Sequence, residues 1–143
     1  MENLKAVIYA LLSALIWGSA PIFFKLGLKG DIPPLAGIFI HNLTATIFAL
    51  IFLILLKENP FSYNYRDILT VAVGGFISGF LGLLVYYKAV KVGKVSVVAP
   101  IASSSPLFSV LFAVIFLGEN FSPVKLLGTL LIVSGIILLT TSK

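Results

Sequence analysis

Long apolar stretches dominate this sequence, separated by short segments that contain charged residues or proline. A membrane-spanning helix needs about 20 apolar residues to cross a hydrocarbon core of about 30 Å. Because unpaired backbone groups are costly in lipid, each apolar stretch is expected to be helical. The sequence therefore predicts an all-α integral membrane protein, a bundle of five transmembrane helices in one domain at residues 1–143. The predicted spans are residues 4–28, 35–56, 68–87, 95–117 and 124–140.

The composition excludes several classes of function. Only 10% of the 143 residues are charged, whereas a soluble domain carries about a quarter. No phosphate-binding glycine motif occurs, and with no cysteine and one histidine, thiol chemistry and a histidine-rich metal site are excluded. We expect no enzyme, no cofactor or metal, and no nucleic-acid partner. The net charge of +5 is interpreted as loop charge beside lipid headgroups.

The distribution of cations gives a weak orientation signal. Five spans place the termini on opposite sides, and the first span lacks a signal-peptide cleavage site, which indicates a retained helix. The count is four cations on the N-terminal side against six on the other, which favours an outside N-terminus but permits insertion in both orientations. We expect a plasma-membrane protein. The four are Lys5, Lys57, Arg66 and Lys125, and the six are Lys25, Lys29, Lys88, Lys91, Lys94 and Lys143.

Two polar residues of the second span are predicted site residues. His41 and Asn42 lie about two turns into that span, where a polar side chain usually faces the interior of a helix bundle. His41 is interpreted either as a titratable or substrate-contacting group, or as a neutral imidazole hydrogen-bonded to a neighbouring helix.

The fourth span contains a serine cluster between two prolines. Pro100 and Pro106 each remove a backbone donor and free carbonyls that must meet protein or a water-filled cavity. Ser103, Ser104 and Ser105 surround nearly the whole helix, so we predict that part of the cluster lines a cavity. The alternative for each hydroxyl is a bond to a carbonyl one turn earlier.

Aromatic residues and lysines at span ends have simpler interpretations. Tyr87 is typical of an aromatic belt, whereas Trp17 lies near the middle of its span and is a candidate pocket wall because a buried indole needs a partner. For Lys25 and Lys88 we expect the ammonium to reach the interface.

The acidic residues all lie at predicted span ends or in loops. A proton-coupled exporter of cationic drugs needs a membrane-embedded carboxylate, and this sequence offers none at mid-depth. Glu119 follows Gly118 at the last turn, where a hydrogen bond or ion pair would fix the hairpin. The acids are Glu2, Asp31, Glu58, Asp67 and Glu119.

A set of motifs resembles one EamA-type repeat of the drug/metabolite transporter superfamily along essentially the whole chain. The set is Trp17 and Gly18 followed by Lys25, the pair Pro33 and Pro34, Tyr86 followed by Ala89, Pro100, the dipeptides Ser105-Pro106 and Gly118-Glu119, and Gly128 with Gly135.

The resemblance implies one half of a ten-helix fold built from two inverted repeats. Because the number of spans is odd, a single repeat could rebuild that fold as an antiparallel homodimer. The resemblance implies transport of a small metabolite through a cavity near the midplane, by alternating access. Where many relatives have arginine in the second span, this chain has His41, so a fixed cation is replaced by a titratable imidazole. The wall positions that the resemblance implies are Trp17, Tyr86, Ser104, Ser105 and Pro106.

Two alternatives to a transporter of small neutral or zwitterionic solutes stay open at this point. The chain could be a membrane subunit that binds a partner protein, its polar residues only holding the bundle together. It could also form a small channel, which would pass solute without counterflow.

Overall fold

The computed structural model describes residues 2–120 and 122–141, and their side chains from residue 4 onward. Lys143, whose charge was counted above, lies outside them. Five helices in this part of the chain are long and apolar enough to cross a membrane, and residues 2–120 and 122–141 contain no strand. The prediction of an all-α protein with five membrane-spanning helices is confirmed. The spans are Leu4–Leu28, Pro34–Leu56, Tyr65–Val92, Val95–Leu117 and Pro123–Thr141.

Two of these spans are subdivided. The third consists of a first α-helix, a π-helical segment and a second α-helix, and the fourth breaks at Ser103 and Ser104. The elements are α1 (Glu2–Leu28), α2 (Pro34–Leu56), α3 (Tyr65–Gly75), the π-helical segment (Phe76–Gly82), α4 (Leu83–Val92), α5 (Val95–Ala102), α6 (Ser105–Leu117) and α7 (Pro123–Thr141).

Local sequence signals explain where the helices begin and end. Pro34 occupies the first turn of α2, where its missing N–H costs nothing. Lys57, the residue after the last one of α2, caps the helix in the left-handed conformation, with φ 56°. The side chain of Asn64 caps α3 by accepting a hydrogen bond from the Arg66 backbone N–H at 2.9 Å. α6 ends at Gly118, whose φ of 65° suits a residue without Cβ.

The third span is longer than predicted, reaching Val92 rather than ending at Tyr87. Lysine favours helix as strongly as most residues, so Lys88 and Lys91 mark the approach of the membrane surface without ending the helix. Gly93, which follows Val92, begins the short connection to α5.

The fourth span is broken between its two prolines, and Pro100 itself lies inside α5 without ending it. α5 ends at Ala102, and α6 begins at Ser105 with Pro106 in its first turn, where a proline is tolerated. Pro21, by contrast, lies inside α1 without ending it.

The chain divides into two compact units, residues 1–21 with 93–143 and residues 22–92. In the first unit α7 packs against α5 and α6. The connection between α6 and α7 is so short that the two helices form the predicted antiparallel hairpin. At its turn Lys125 and Glu119 form an exposed ion pair of 3.5 Å, one of the two interactions expected for Glu119.

In the second unit α2 packs against α4. Its buried apolar side chains are Leu28, Ile38, Tyr87 and Val90, each at most 3% exposed. They join the end of α1, the first half of α2 and α4 into one core. Most other large apolar side chains of the described residues are exposed, as suits helices that face lipid.

Candidate functional site

A cavity of about 450 Å³ lies in the unit of residues 22–92, within the size range of small-molecule sites. Its walls come from the end of α1, the first half of α2 and Tyr87 of α4. Most of the lining is apolar. The exceptions are His41, Tyr87 and Thr44, and the Thr44 hydroxyl donates to the Ile40 carbonyl of its own helix at 2.9 Å. His41 and Tyr87 are therefore the polar side chains available to a solute there.

These two side chains are hydrogen-bonded to each other. Nδ1 of His41 lies 2.8 Å from the hydroxyl of Tyr87, and Tyr87 is only 3% exposed. The imidazole can accept the phenolic proton, or donate to the phenol oxygen, depending on its tautomer. In either case Nε2 is left for a further partner, which makes His41 suitable for contacting a solute.

An aromatic ring fixes this pair from the side of α1. The centroid of the Phe24 ring lies 5.3 Å from that of His41 and 4.8 Å from that of Tyr87. Phe24 also meets Tyr86 edge-on, at 6.5 Å. Such separations are those of favourable aromatic pairs, so three helices contribute to one aromatic cluster beside the cavity.

Gly37 permits α2 to come this close. A Cβ at this position would lie 3.1 Å from Leu28 Cδ2 and 3.2 Å from two ring carbons of Tyr87. Those distances are shorter than ordinary van der Waals contact. The absence of a side chain at Gly37 thus sets the distance between α2 and the two elements that face it.

Asn42 points away from the cavity, toward the π-helical segment. Its side-chain amide donates to the Gly79 carbonyl at 2.9 Å. The Leu83 N–H, the usual donor to that carbonyl in an α-helix, is directed instead at the carbonyls of Ser78 and Phe80. Asn42 therefore donates to a carbonyl that has lost its usual α-helical donor in the π-helical geometry.

Two lysines bind main-chain carbonyls at one end of this unit. The ammonium of Lys25 donates to the carbonyls of Val90 and Lys91, at 2.8 Å and 3.1 Å. Lys91 in turn donates to the Ile32 carbonyl at 2.9 Å. Positive charge at the end of α4 interacts favourably with the last carbonyls and the helix dipole. The ammonium of Lys25 thus lies at the end of α4, and the expectation that it reaches the interface stays a prediction.

Comparison with known proteins identifies the family. The model of the EamA-like transporter family matches residues 4–141. This chain belongs to the EamA-like transporter family. It is an integral membrane protein of a transporter family.

Individual relatives agree with this assignment. An uncharacterized protein of Methanocaldococcus jannaschii is 34% identical over 138 residues, 96% of this chain and 98% of that protein. An uncharacterized transporter of Bacillus subtilis is 29% identical over 129 residues, 87% of this chain and 40% of the relative. A probable terminal-alkyne amino-acid exporter of Streptantibioticus cattleyicolor is 30% identical over 142 residues, 94% of this chain and 44% of the relative. The chain thus spans less than half of the last two relatives. No solved structure matches it.

Of the predicted site residues of this EamA-like chain, the structure brings His41 to the cavity together with Tyr87. Tyr86 is half-buried one position away and contacts Phe24. The prediction that Tyr87 anchors the chain at the membrane surface is wrong, because its ring is buried against Phe24 and its hydroxyl is bonded to His41. Trp17 belongs to the other unit and is 75% exposed. Its role as a pocket wall stays a prediction.

The serine cluster also lies in the other unit. The hydroxyls of Ser103 and Ser104 donate to the carbonyls of Ala99 and Ile101, at 2.9 Å and 2.8 Å, which is the alternative considered from the sequence. Among the described residues no partner is found for the exposed hydroxyl of Ser105. A cavity-lining role for this cluster and for Pro106 stays a prediction.

Sequence reasoning did not single out Phe24 or Gly37. Phenylalanine is frequent in the chain, with twelve copies, so its type alone carried no signal. Gly37 follows Pro34 by three residues and could have been noticed as a small residue on the face of α2 that carries His41 one turn later. Within the described part of the chain, no three His, Asp or Glu side chains come together as metal ligands.

Proposed function

We propose that this EamA-like chain transports a small neutral or zwitterionic, amino-acid-like metabolite by alternating access. In this proposal residues 1–143 act as one transmembrane domain of an antiparallel homodimer, and the plasma membrane is its location. The observation that carries the proposal is the cavity beside the hydrogen-bonded pair of His41 and Tyr87.

The chemistry of the lining supports this class of substrate. Among the described residues no carboxylate lines the cavity, which disfavours a substrate with a net positive charge. Lys25, the cation at this end of α1, is bonded to the carbonyls of α4. An apolar wall with one imidazole and one phenol suits an apolar side chain together with a single polar group. The name of the Streptantibioticus cattleyicolor relative, an amino-acid exporter, supports amino acids as the first substrates to test.

The antiparallel arrangement is supported by the span count and the charge balance. Two copies of a five-span unit that insert in opposite directions are related as inverted repeats. Four cations on one side against six on the other give only a weak preference for one orientation. In this arrangement two copies of the His41 cavity would serve one transport path.

Transport is tested by counterflow in vesicles that contain the purified chain. The vesicles are loaded with one unlabelled neutral amino acid at a time and diluted into a trace of the same compound in labelled form. The compounds tested include an amino acid with a terminal-alkyne side chain. Saturable, transient accumulation of label is expected for at least one compound. Leakage without accumulation would indicate a channel, and no flux for any compound would contradict the proposed substrate class.

The site is tested with a matched pair of tyrosine variants. Tyr87→Phe keeps the ring but removes the hydroxyl that meets His41, and we expect a roughly 2- to 10-fold lower counterflow rate, since one neutral hydrogen bond contributes about 0.5–1.5 kcal/mol. Tyr9→Phe makes the same chemical change at a side chain that is 70% exposed, and should leave the rate unchanged. Equal rates for both variants would place substrate recognition elsewhere.

The orientation is tested by single-cysteine labelling, which the absence of native cysteine makes clean. Ser62→Cys lies between α2 and α3, and Gly30→Cys lies between α1 and α2, on opposite sides of the membrane. A Cβ at Gly30 meets open space. If each cysteine reacts with an impermeant reagent in about half of the molecules, both orientations occur. Labelling of only one of the two positions would exclude the antiparallel homodimer.

A further inference from the structure

A second cavity lies between the end of α2 and the start of α3, with a volume of about 540 Å³. Its apolar wall is made by Leu53 of α2 and by Ile68, Val71 and Ala72 of α3. No other helix of the unit of residues 22–92 contributes to this lining, so the space is a wedge between two neighbouring spans.

The rim of this wedge is formed by the loop that joins the two spans. α2 ends at Leu56 and α3 begins at Tyr65, so the loop lies where irregular backbone can meet water, at the level of the lipid headgroups. Phe61 and Tyr63 of this loop line the cavity and are 80% and 63% exposed. Exposed aromatic rings at this depth are typical of contact with headgroups.

The rim also carries two carboxylates, those of Glu58 and Asp67. Within the described residues neither forms an ion pair, whereas Glu119, in the turn between α6 and α7, is paired with Lys125. Two carboxylates beside aromatic rings provide hydrogen-bond acceptors and cation–π partners for a positive group. The cavity thus combines two carboxylates and two aromatic rings with an apolar wall between two membrane-spanning helices.

We propose that this cavity binds a membrane phospholipid with a primary ammonium headgroup. Its ammonium would lie beside Glu58 and Asp67, and one acyl chain would occupy the wedge between α2 and α3. The lipid phosphate would find counterions in the same loop, since Lys57 and Arg66 bracket it. This site is separate from the cavity at His41, because the two cavities share no lining residue.

The two carboxylate acceptors favour a primary ammonium over other headgroups. A primary ammonium has three N–H groups that can donate to carboxylates, which strengthens each contact. A choline headgroup has none and would rely on the aromatic rings alone. A glycerol headgroup has no ammonium to donate to the two carboxylates and carries the net negative charge of its phosphate, so it is disfavoured.

The proposal is tested by native mass spectrometry of the full chain. The protein is purified in detergent and mixed with equal amounts of phosphatidylethanolamine, phosphatidylcholine and phosphatidylglycerol that carry identical acyl chains. We expect phosphatidylethanolamine to be retained about tenfold more than phosphatidylglycerol, as hydrogen bonds to charged groups imply. In the double variant Glu58→Gln with Asp67→Asn the preference should disappear. Glu119→Gln, which removes a carboxylate of a loop on the same side, should leave it unchanged.

Each other outcome contradicts the proposal. Equal retention of the three lipids would show a non-selective apolar groove, and a preference for phosphatidylcholine would indicate recognition by the aromatic rings only. Retention of the preference in the double variant would place the headgroup elsewhere.

If the double variant is not recovered in folded form, the single variants Glu58→Gln and Asp67→Asn are measured instead, and each should reduce the preference. Glu58→Lys should shift it toward phosphatidylglycerol, and an unshifted preference there would also overturn the assignment.

Discussion

Asn42 and Gly79 connect two helices through one hydrogen bond, from the side-chain amide of Asn42 to the Gly79 carbonyl, 2.9 Å long. The Leu83 N–H, which would bond this carbonyl in an α-helix, is directed at the carbonyls of Ser78 and Phe80 instead. In lipid, no water would replace the amide. The irregular third span and the polar residue of the second span therefore depend on each other.

Replacement of Asn42 should destabilise the protein. Asn42→Leu keeps a side chain of similar volume but leaves the Gly79 carbonyl without its donor, and we expect a loss of about 1–2 kcal/mol in the free energy of unfolding. Titration with a denaturing detergent, followed by circular dichroism, measures it. Thr46→Val is the control, because the Thr46 hydroxyl bonds only to a carbonyl of its own helix. Equal losses in both variants would mean that the inter-helix bond contributes nothing.

Addition of one methyl group at Gly37 should disturb the aromatic cluster. In Gly37→Ala the new Cβ would meet Leu28 and Tyr87 at 3.1 Å and 3.2 Å, and both neighbours are buried. Overpacking of this kind costs about 1–3 kcal/mol. Gly74→Ala, where the added Cβ meets nothing within 4 Å, should be neutral or stabilising by up to about 1 kcal/mol. Thermal unfolding of both variants compares them, and an unaffected Gly37→Ala would show that α2 can move away from α4.

Loss of the Lys25 ammonium should weaken the end of α4. Lys25→Met retains much of the stem but removes the donor to the Val90 and Lys91 carbonyls. We expect faster amide hydrogen exchange at the last turn of α4 and a loss of about 1.5–3 kcal/mol in the free energy of unfolding. Lys88→Met removes an exposed ammonium of the same helix end and should change neither quantity. If amide hydrogen exchange at the end of α4 is unchanged in Lys25→Met, the contacts of Lys25 contribute little to the stability of this helix end.

Transport should depend on pH through His41. Histidine is the side chain that ordinarily changes charge between about pH 5 and 8, and Tyr87 is the only other titratable residue in the cavity lining. His41→Gln keeps a hydrogen-bonding side chain that does not titrate, so we expect a flatter profile of counterflow rate against pH over that range. The rate is measured from pH 5 to 8 with the same pH on both sides of the membrane. An unchanged profile with retained activity would assign His41 to packing.

Much of the fold was predictable because the membrane imposes it. The number and approximate positions of the helices followed from the apolar stretches, and the break in the fourth span followed from Pro106, which lacks an N–H. The end of the third span was less predictable. Lys88 and Lys91 indicate that the chain is near the membrane surface, but lysine does not end a helix, and α4 continues to Val92.

The site was predictable only in part. His41 was identifiable because a titratable group at mid-depth is costly in lipid. The partner of His41 was not identifiable, since Tyr86 and Tyr87 are adjacent in the sequence. Which of the two tyrosines faces His41 depends on the rotation of α4 about its axis. That rotation is set by the π-helical segment, which has no simple sequence signature. Phe24 was missed because its ring partner Tyr87 is far away in sequence. The carbonyls that Lys25 binds are equally far away and could not be identified from the sequence.

The π-helical segment also determines which tyrosine faces His41. A π-helical turn holds one more residue than an α-helical turn, so in an unbroken α-helix the residues after Gly82 would be rotated by about 100° relative to α3. Tyr86 would then occupy the position at which Tyr87 meets the imidazole. The tandem of two tyrosines therefore presents a phenol to the cavity whether or not the wide turn forms.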